Sequence, residues 1–283
     1  MIVDAHFHVW DAAFGGHEWL DDVPSLGRRY TLDDFQMTAG QNGVAESVLV
    51  QVIHDVRETI HFLDLANEAD VVAGVVGWID LEAPDVTENL VALRQSPHGR
   101  YLVGLRHLVE AEADPRYLER DTVQRGLAAI AASGLTFDLL VRPHQLASAL
   151  RAVRSCEGLR VVLDHAGFPN FADLDDYGWR ANVTELARTG RAACKLSGFV
   201  TEMDSRERPR ILRDVTKVLL DAFTTRSLLF GSDWPVCLQV ASYEEVLGLA
   251  RDTLSDLTAE ELDNVLGGNA RRWYRGSEND KEV

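Results

Sequence analysis

The stretch Ile2-Val3-Asp4-Ala5-His6-Phe7-His8 is a short, largely apolar run typical of a β-strand, and comparable runs recur along almost the whole chain. A stretch with helical periodicity follows each of them. The predicted strands are 2–8, 47–53, 72–79, 102–107, 136–141, 160–165, 192–197 and 228–233. Because these strands alternate with helices without an intervening linker, the sequence predicts an α/β fold, a single (β/α)8 TIM-type barrel.

The helical stretches between the strands carry apolar residues at positions i, i+4 and i+7, the spacing of a helix face that packs on a sheet. The three clearest sets are Val123, Leu127 and Ile130; Leu146, Leu150 and Val153; and Ile211, Val215 and Val218. Ser242 with Glu245, and Thr258 with Glu261, match the capping box that begins a helix. These patterns predict amphipathic helices that cover the outside of the barrel.

The alternation of strands and helices predicts one domain over residues 1–274, followed by a polar tail over 275–283. No Gly-x-Gly-x-x-Gly motif follows the first strand, which argues against a dinucleotide-binding sheet and against an organic cofactor. The long first connection, residues 9–43, is predicted to place a loop over the mouth of the barrel.

Composition restricts the classes of partner. A formal charge of −17 and an isoelectric point near 4.9 disfavour nucleic acids and anionic membranes. The chain has no basic, apolar leader and no long apolar run. Cys156, Cys194 and Cys237 form no C-x-x-C pair, so we expect free thiols and a cytoplasmic location. A homo-oligomer is compatible with this sequence.

In a parallel barrel the reactive groups lie at the carboxyl ends of the strands. The first strand ends at His6-Phe7-His8, and the two-residue period of a strand places both imidazoles on one face. The sixth strand ends at His165 and the eighth at Asp233. Three imidazoles and one carboxylate on a common rim suit either a metal site or a set of hydrogen-bond donors.

Seven segments together resemble the amidohydrolase superfamily (amidohydrolase 2 type) from residue 2 to about residue 274. They are Asp4-Ala5-His6-Phe7-His8-Val9-Trp10-Asp11, Gly77-Trp78-Ile79-Asp80, Gly104-Leu105-Arg106-His107, Leu163-Asp164-His165, Lys195-Leu196-Ser197-Gly198, Gly231-Ser232-Asp233-Trp234-Pro235 and Gly268-Asn269-Ala270-Arg271. More narrowly, the set is similar to the lactonase branch, whose members open L-fuconolactone, L-rhamnonolactone or 2-pyrone-4,6-dicarboxylate.

The resemblance implies a distorted barrel whose His-x-His pair and last-strand aspartate line the active site, here His6, His8 and Asp233, with His165 added from an intermediate strand. It also implies either one divalent ion, zinc or manganese, held by these four residues, or no ion. The sequence departs from metal-rich members of the superfamily, because the fifth strand ends at Leu140-Val141-Arg142 and the seventh carries Lys195. A binuclear centre is therefore not expected.

This resemblance predicts a hydrolase that opens a small lactone, a sugar lactone in particular. Asp233 would take the proton of the attacking water. His6, His8 and His165 would polarise the ester carbonyl, directly or through an ion that they hold. Two alternatives stay open at this point: a metal-dependent decarboxylase of the same superfamily, and a barrel that binds a sugar acid without chemistry.

Six further residues are candidate substrate contacts. Trp78 and Trp19 could stack on the sugar ring, and Gln51 could either bind a hydroxyl or be satisfied within the barrel.

The remaining three contacts are Lys195, Arg106 and His107. Lys195 is expected to bind substrate rather than to pair with an interior acid such as Asp4. Arg106 and His107 cannot both point inward from one strand, and we favour His107 as the contact, with a salt bridge as the alternative for Arg106.

Overall fold

Eight parallel strands follow one another around a barrel, and each is hydrogen-bonded to the next strand of the chain. The computed structural model describes residues 1–11, 15–203 and 206–275. The strands are β1 (Ile2–Phe7), β2 (Val44–Val50), β3 (Val72–Gly77), β4 (Leu102–His107), β5 (Thr136–Leu139), β6 (Arg160–Leu163), β7 (Ala192–Leu196) and β8 (Leu228–Phe230). The predicted TIM-type barrel is confirmed.

Helices cover the barrel, as the apolar spacing predicts. They are α1 (Leu32–Gln41), α2 (Val56–Glu68), α3 (Val86–Gln95), α4 (Asp121–Ser133), α5 (Pro143–Ser155), α6 (Trp179–Arg188), α7 (Arg208–Phe223), α8 (Tyr243–Thr253), α9 (Ala259–Asp263) and α10 (Asn269–Arg275). The three apolar sets are buried in α4, α5 and α7. Both capping boxes are present, at the starts of α8 and α9.

The barrel closes between its first and last strands. Phe7 forms a single bridge with Trp234, and the Asp233 amide donates to the His6 carbonyl at 2.9 Å. Asp4 strengthens this seam, because one carboxylate oxygen accepts from the Ser232 amide at 2.9 Å and the other from the Tyr243 hydroxyl at 2.9 Å. His6, near the end of the first strand, and Asp233, just after the last strand, therefore lie side by side at this seam.

Seven of the eight strands differ from their predicted bounds, usually because they stop before the polar residues at their carboxyl ends. Thus β6 ends at Leu163 rather than at His165, and β8 ends at Phe230 rather than at Asp233. His165 and Asp233 adopt positive φ values of 51° and 58°, which no strand can accommodate. The chain leaves the sheet where these side chains turn into the barrel mouth.

The other end of the barrel is sealed by α10. Ala270 and Tyr274 pack against a small apolar cluster inside the barrel that includes Val3, Val48 and Leu229. The tail predicted for 275–283 lies outside the described residues, apart from Arg275 at the end of α10. Cys156, Cys194 and Cys237 are free, as predicted, and all three are buried. No helix within the described ranges is both long and apolar enough to span a membrane.

Candidate active site

His6 and His8 lie at the end of β1 with their rings facing each other. Their Nε2 atoms are 3.1 Å apart, and His8 Nδ1 lies 2.8 Å from the Val50 carbonyl oxygen. Because a carbonyl only accepts, His8 Nδ1 carries the proton and a neutral His8 leaves a lone pair on Nε2. At the mouth of the barrel, His8 therefore presents a lone pair on Nε2 and not an N–H group.

Asp233 brings a carboxylate to the same place. Its Oδ1 lies 3.8 Å from His6 Nε2 and 3.6 Å from His8 Nε2. The backbone of Asp233 is left-handed, with φ of 58°, a conformation that Asp and Asn tolerate better than most residues. The hydrogen bond from its amide to His6 fixes this conformation against β1.

His165 approaches from β6 on an unusual left-handed turn. His165 and Ala166 both have φ of 51°, and Phe168 has φ of 50°. Each such residue costs about 1 to 2 kcal/mol, so neighbouring contacts must hold the turn. Trp179 donates its indole N–H to the Ala166 carbonyl at 2.7 Å, and Ser197 Oγ lies 2.9 Å from His165 Nδ1. These contacts fix the ring in the site.

His6, His165 and Asp233 can hold a metal ion. Their ligand atoms all lie within 4.8 Å of one another, and all three side chains are buried. Burial lowers the pKa of His6 well below its usual value and lowers that of His165 as well. The imidazoles are therefore neutral, which is the form that binds metals. Two nitrogens and a carboxylate oxygen, with His8 Nε2 adjacent, are a donor set that suits zinc.

Lys195 lies beneath the histidines, fully buried, and is not arranged as the substrate ligand that we expected. Its ammonium is 2.6 Å from Asp138 Oδ2, 2.8 Å from Asp164 Oδ1 and 3.0 Å from His6 Nδ1. These three acceptors match its three N–H donors, so none is left for a substrate. Its carboxylate partners are Asp138 and Asp164 rather than Asp4, which is held in the barrel seam.

Arg106, and not His107, turns into the barrel, which corrects our preference between the two. Arg106 Nη1 lies 3.1 Å from Asp164 Oδ2 and 3.3 Å from His6 Nε2, while its Nε donates to Gln51 Oε1 at 3.2 Å. Gln51 is thereby satisfied within the barrel. The carboxylate of Asp164 is thus shared by two cations, Arg106 and Lys195, which hold its pKa well below the usual range against the opposing effect of burial.

The remaining candidates lie on the rim of the barrel. Trp78 donates its indole N–H to His107 Nδ1 at 3.3 Å, and His107 Nε2 is 2.7 Å from Glu112 Oε1. Trp19 packs edge to face on Trp10, with ring centroids 5.3 Å apart. Trp10 lies two residues after His8 in the chain. The structure thus gathers His6, His8, His165 and Asp233 at one centre and leaves Trp78, His107 and Trp19 around it.

Sequence reasoning missed Asp138, Asp164 and Ser197 as parts of the site. Asp164 directly precedes His165, and Asp138 lies inside a predicted strand whose other residues are mostly apolar. A carboxylate inside a buried strand needs a charged or hydrogen-bonding partner, and this requirement was the signal in the sequence that could have identified Asp138.

Glu58 fixes the segment that follows β2. Its carboxylate accepts from the Val52 amide at 2.8 Å and from the Ile53 amide at 3.1 Å. Burial raises the pKa of Glu58 from 4.5 to about 7. The folded protein therefore keeps a proton that the unfolded chain has already released, and the resulting stability is present at low pH and lost as the pH rises through about 7.

Glu58→Gln is expected to remove this pH dependence. Between a pH of about 4.5 and one of about 7.5, the free energy of unfolding of the wild type should fall by about 2 to 3 kcal/mol relative to the variant. Urea denaturation across this range measures the difference. Glu68→Gln, which replaces an exposed carboxylate on the same helix, is the matched control. Parallel curves for the wild type and Glu58→Gln would contradict the prediction.

The whole chain is similar to known amidohydrolases. A family model described as amidohydrolase matches residues 3–276. The L-fucono-1,5-lactonase of Burkholderia multivorans is 38% identical, with 97% of this chain and 96% of that protein covered. The L-fucono-1,5-lactonase of Burkholderia ambifaria is 31% identical, with 96% and 95% covered. A crystal structure of a Burkholderia multivorans amidohydrolase with bound zinc is 34% identical and superimposes with a TM-score of 0.88, covering 97% of this chain and 99% of that one.

Proposed function

The chain belongs to the amidohydrolase family, and from this premise we propose that it hydrolyses the ester ring of a sugar lactone, L-fucono-1,5-lactone being the substrate to test first. The observation that carries the proposal is the convergence of three imidazoles and Asp233 at the mouth of a barrel that matches L-fucono-1,5-lactonases over nearly its full length. Lactone opening needs a base for the attacking water and a polarised carbonyl, and this cluster offers groups for both tasks.

Asp233 is the proposed general base. Its carboxylate is held by a fixed backbone beside His6 and His8, at the carboxyl ends of the strands where a substrate enters. The attacking water gives its proton to this carboxylate as the new C–O bond forms at the ester carbonyl. The bond to the ring oxygen then breaks, and that oxygen takes the proton from Asp233 to become a hydroxyl of the open-chain sugar acid, which returns Asp233 to the carboxylate.

The three histidines differ in their ability to donate a hydrogen bond to the ester carbonyl. A neutral His8 has no N–H on Nε2, since its proton lies on Nδ1, which donates to the Val50 carbonyl oxygen. His6 lies between two cations, with Lys195 3.0 Å from Nδ1 and Arg106 3.3 Å from Nε2, so neither of its nitrogens is free to donate toward a substrate. His165 is therefore the imidazole best able to donate toward a carbonyl oxygen, with Ser197 fixing its other nitrogen.

The donor set also fits a divalent ion, for which we propose zinc. His6, His8, His165 and Asp233 would hold it, with the proton of His6 on Nδ1, 3.5 Å from Asp164 Oδ1. When bound, such an ion supplies a Lewis acid that polarises the ester carbonyl. The lone pair on His8 Nε2 favours this role for His8 over that of a hydrogen-bond donor.

The test is an assay of acid release from L-fucono-, L-rhamnono-, L-galactono- and D-arabinono-lactones and from 2-pyrone-4,6-dicarboxylate. We expect rapid opening of L-fucono-1,5-lactone, loss of activity after treatment with a chelator, and recovery on addition of zinc. Activity that survives chelation would remove the ion from the proposal and leave His165 as the donor. If no lactone in the panel is opened, with or without zinc or manganese, the lactonase proposal fails.

A further inference from the structure

Four aromatic rings form a stack on the rim of the barrel beyond β2, β3 and β4. His54 lies parallel to Trp78, with centroids 5.4 Å apart and an angle of 16°, and also to His107, at 4.1 Å and 27°. The opposite face of His107 lies on Tyr117, at 4.6 Å and 15°. His54 is thus the outer layer of the stack, and it is exposed whereas His107 and Tyr117 are buried.

Hydrogen bonds fix the protons of both histidines. The Trp78 indole N–H can only donate, so His107 Nδ1 accepts and its proton lies on Nε2, toward Glu112. The Leu108 amide donates to His54 Nε2 at 3.0 Å, so the proton of His54 lies on Nδ1. The part of the His54 ring that Trp78 and His107 cover is removed from water, which lowers its pKa to about 4, so the ring is neutral at physiological pH. Within the described part of the chain, this Nδ1–H has no acceptor.

The stack lies at the carboxyl ends of β2, β3 and β4, the side of the barrel that carries His6 and His8, and the chain links it to them. Arg106, which contacts His6, directly precedes His107 in the chain. Val50, whose carbonyl fixes His8, lies four residues before His54. Glu58 holds the intervening segment through the amides of Val52 and Ile53. A donor that is fixed by these contacts, and that has no partner among the described residues, is suited to recognise a polar group of the substrate.

We propose that His54 is a specificity-determining residue that donates its Nδ1–H to one ring hydroxyl of the sugar lactone. This inference rests on the proposed function, since it assigns a hydroxylated ring to the space beside the stack. This hydrogen bond should be equally strong in the bound substrate and in the transition state, because the charge of the hydroxyl does not change when the ester opens. It should therefore affect KM rather than kcat.

His54→Gln and His54→Asn separate the two nitrogens of the ring. A Gln side chain can place its carbonyl near the position of Nε2 and keep the bond from the Leu108 amide, but it places no donor at Nδ1. An Asn side chain places its amide nitrogen near Nδ1. We expect His54→Gln to raise KM for L-fucono-1,5-lactone about 3- to 10-fold, the size of one neutral hydrogen bond, with kcat within about 2-fold. His54→Asn should recover part of this loss.

Substrate analogues that each lack one ring hydroxyl distinguish recognition from a structural effect. The wild type should lose affinity for one of these deoxy lactones, and His54→Gln should lose no more for that analogue than for the parent lactone. His144→Gln, at an exposed histidine on α5, is the matched control. An unchanged KM in His54→Gln, or an equal loss for every deoxy lactone, would overturn the proposal.

A failure of the proposed function would be recognised separately. In that case the wild type would open no lactone of the panel, and calorimetric binding of L-fuconate would replace KM as the readout. A sugar contact at His54 would still be supported if His54→Gln bound L-fuconate more weakly than the wild type does, and if this difference disappeared for one deoxy acid. Equal binding of L-fuconate by the wild type and His54→Gln, or no binding by either, would reject it.

Discussion

Asp233→Asn is expected to lower kcat for lactone opening by about 10²- to 10⁴-fold, the contribution of a positioned general base. An amide cannot take the proton of the attacking water, and it is also a weaker ligand for a divalent ion than a carboxylate. The substitution is conservative in every other respect, because Asn has nearly the same shape as Asp and tolerates the left-handed backbone at this position. The loss should therefore appear in kcat, measured by acid release under saturating substrate.

The stability of the variant provides the necessary check. Asp233→Asn should unfold within about 1 kcal/mol of the wild type, since the amide of residue 233 still bonds to His6. Asp70→Asn, at an exposed turn before β3 and at the opposite end of the barrel, should change neither quantity. An Asp233→Asn enzyme with kcat within a factor of ten of the wild type would exclude Asp233 as the base.

Lys195→Met is expected to destabilise the fold by about 3 to 5 kcal/mol, the cost of removing one partner from a buried ion pair. Asp138 and Asp164 would then lie in the barrel interior without their shared cation, although Arg106 still contacts Asp164. His6 would also lose the donor to its Nδ1, so activity should fall with stability. Urea denaturation measures the first effect.

A double variant tests whether charge, rather than side-chain shape, causes this loss. In Lys195→Met the Asp164 carboxylate keeps Arg106 as a partner, whereas Asp138 loses its cation, so Asp138→Asn removes the carboxylate that is left unpaired. Adding Asp138→Asn to Lys195→Met should restore part of the lost stability, because one unpaired charge is gone. Lys217→Met, on the exposed side of α7, should remain within about 0.5 kcal/mol of the wild type. If the double variant is less stable than Lys195→Met, the electrostatic explanation is wrong.

Local sequence patterns predicted the barrel because alternation and periodicity are local properties. The strands, the buried faces of α4, α5 and α7, and the two capping boxes follow from residues at most about ten positions apart. The gathering of His6, His8, His165 and Asp233 followed from a rule of the fold, which places the carboxyl ends of all strands on one rim. The prediction needed no knowledge of individual contacts.

The partners of the polar residues inside the barrel could not be predicted in the same way. Whether Lys195 meets a substrate or Asp164 depends on the stagger of strands that are distant in sequence. The choice between Arg106 and His107 as the inward residue depends on the phase of a single strand, and one residue of shift reverses it. The role proposed for His54 has no signal in the local sequence, since it depends on stacking with His107, which lies in a different strand of the barrel.

The position of Asp4 has a consequence for how the protein is made. Its partners Ser232 and Tyr243 lie 228 and 239 positions later in the chain. At ribosomal rates of about 5 to 20 residues per second, the first strand emerges on the order of 10 to 50 s before these partners are synthesised. The nascent amino-terminal half therefore cannot complete its interior as it emerges. The barrel can close only after residues 232 and 243 have been made, although the first strand can already pair with β2 before then.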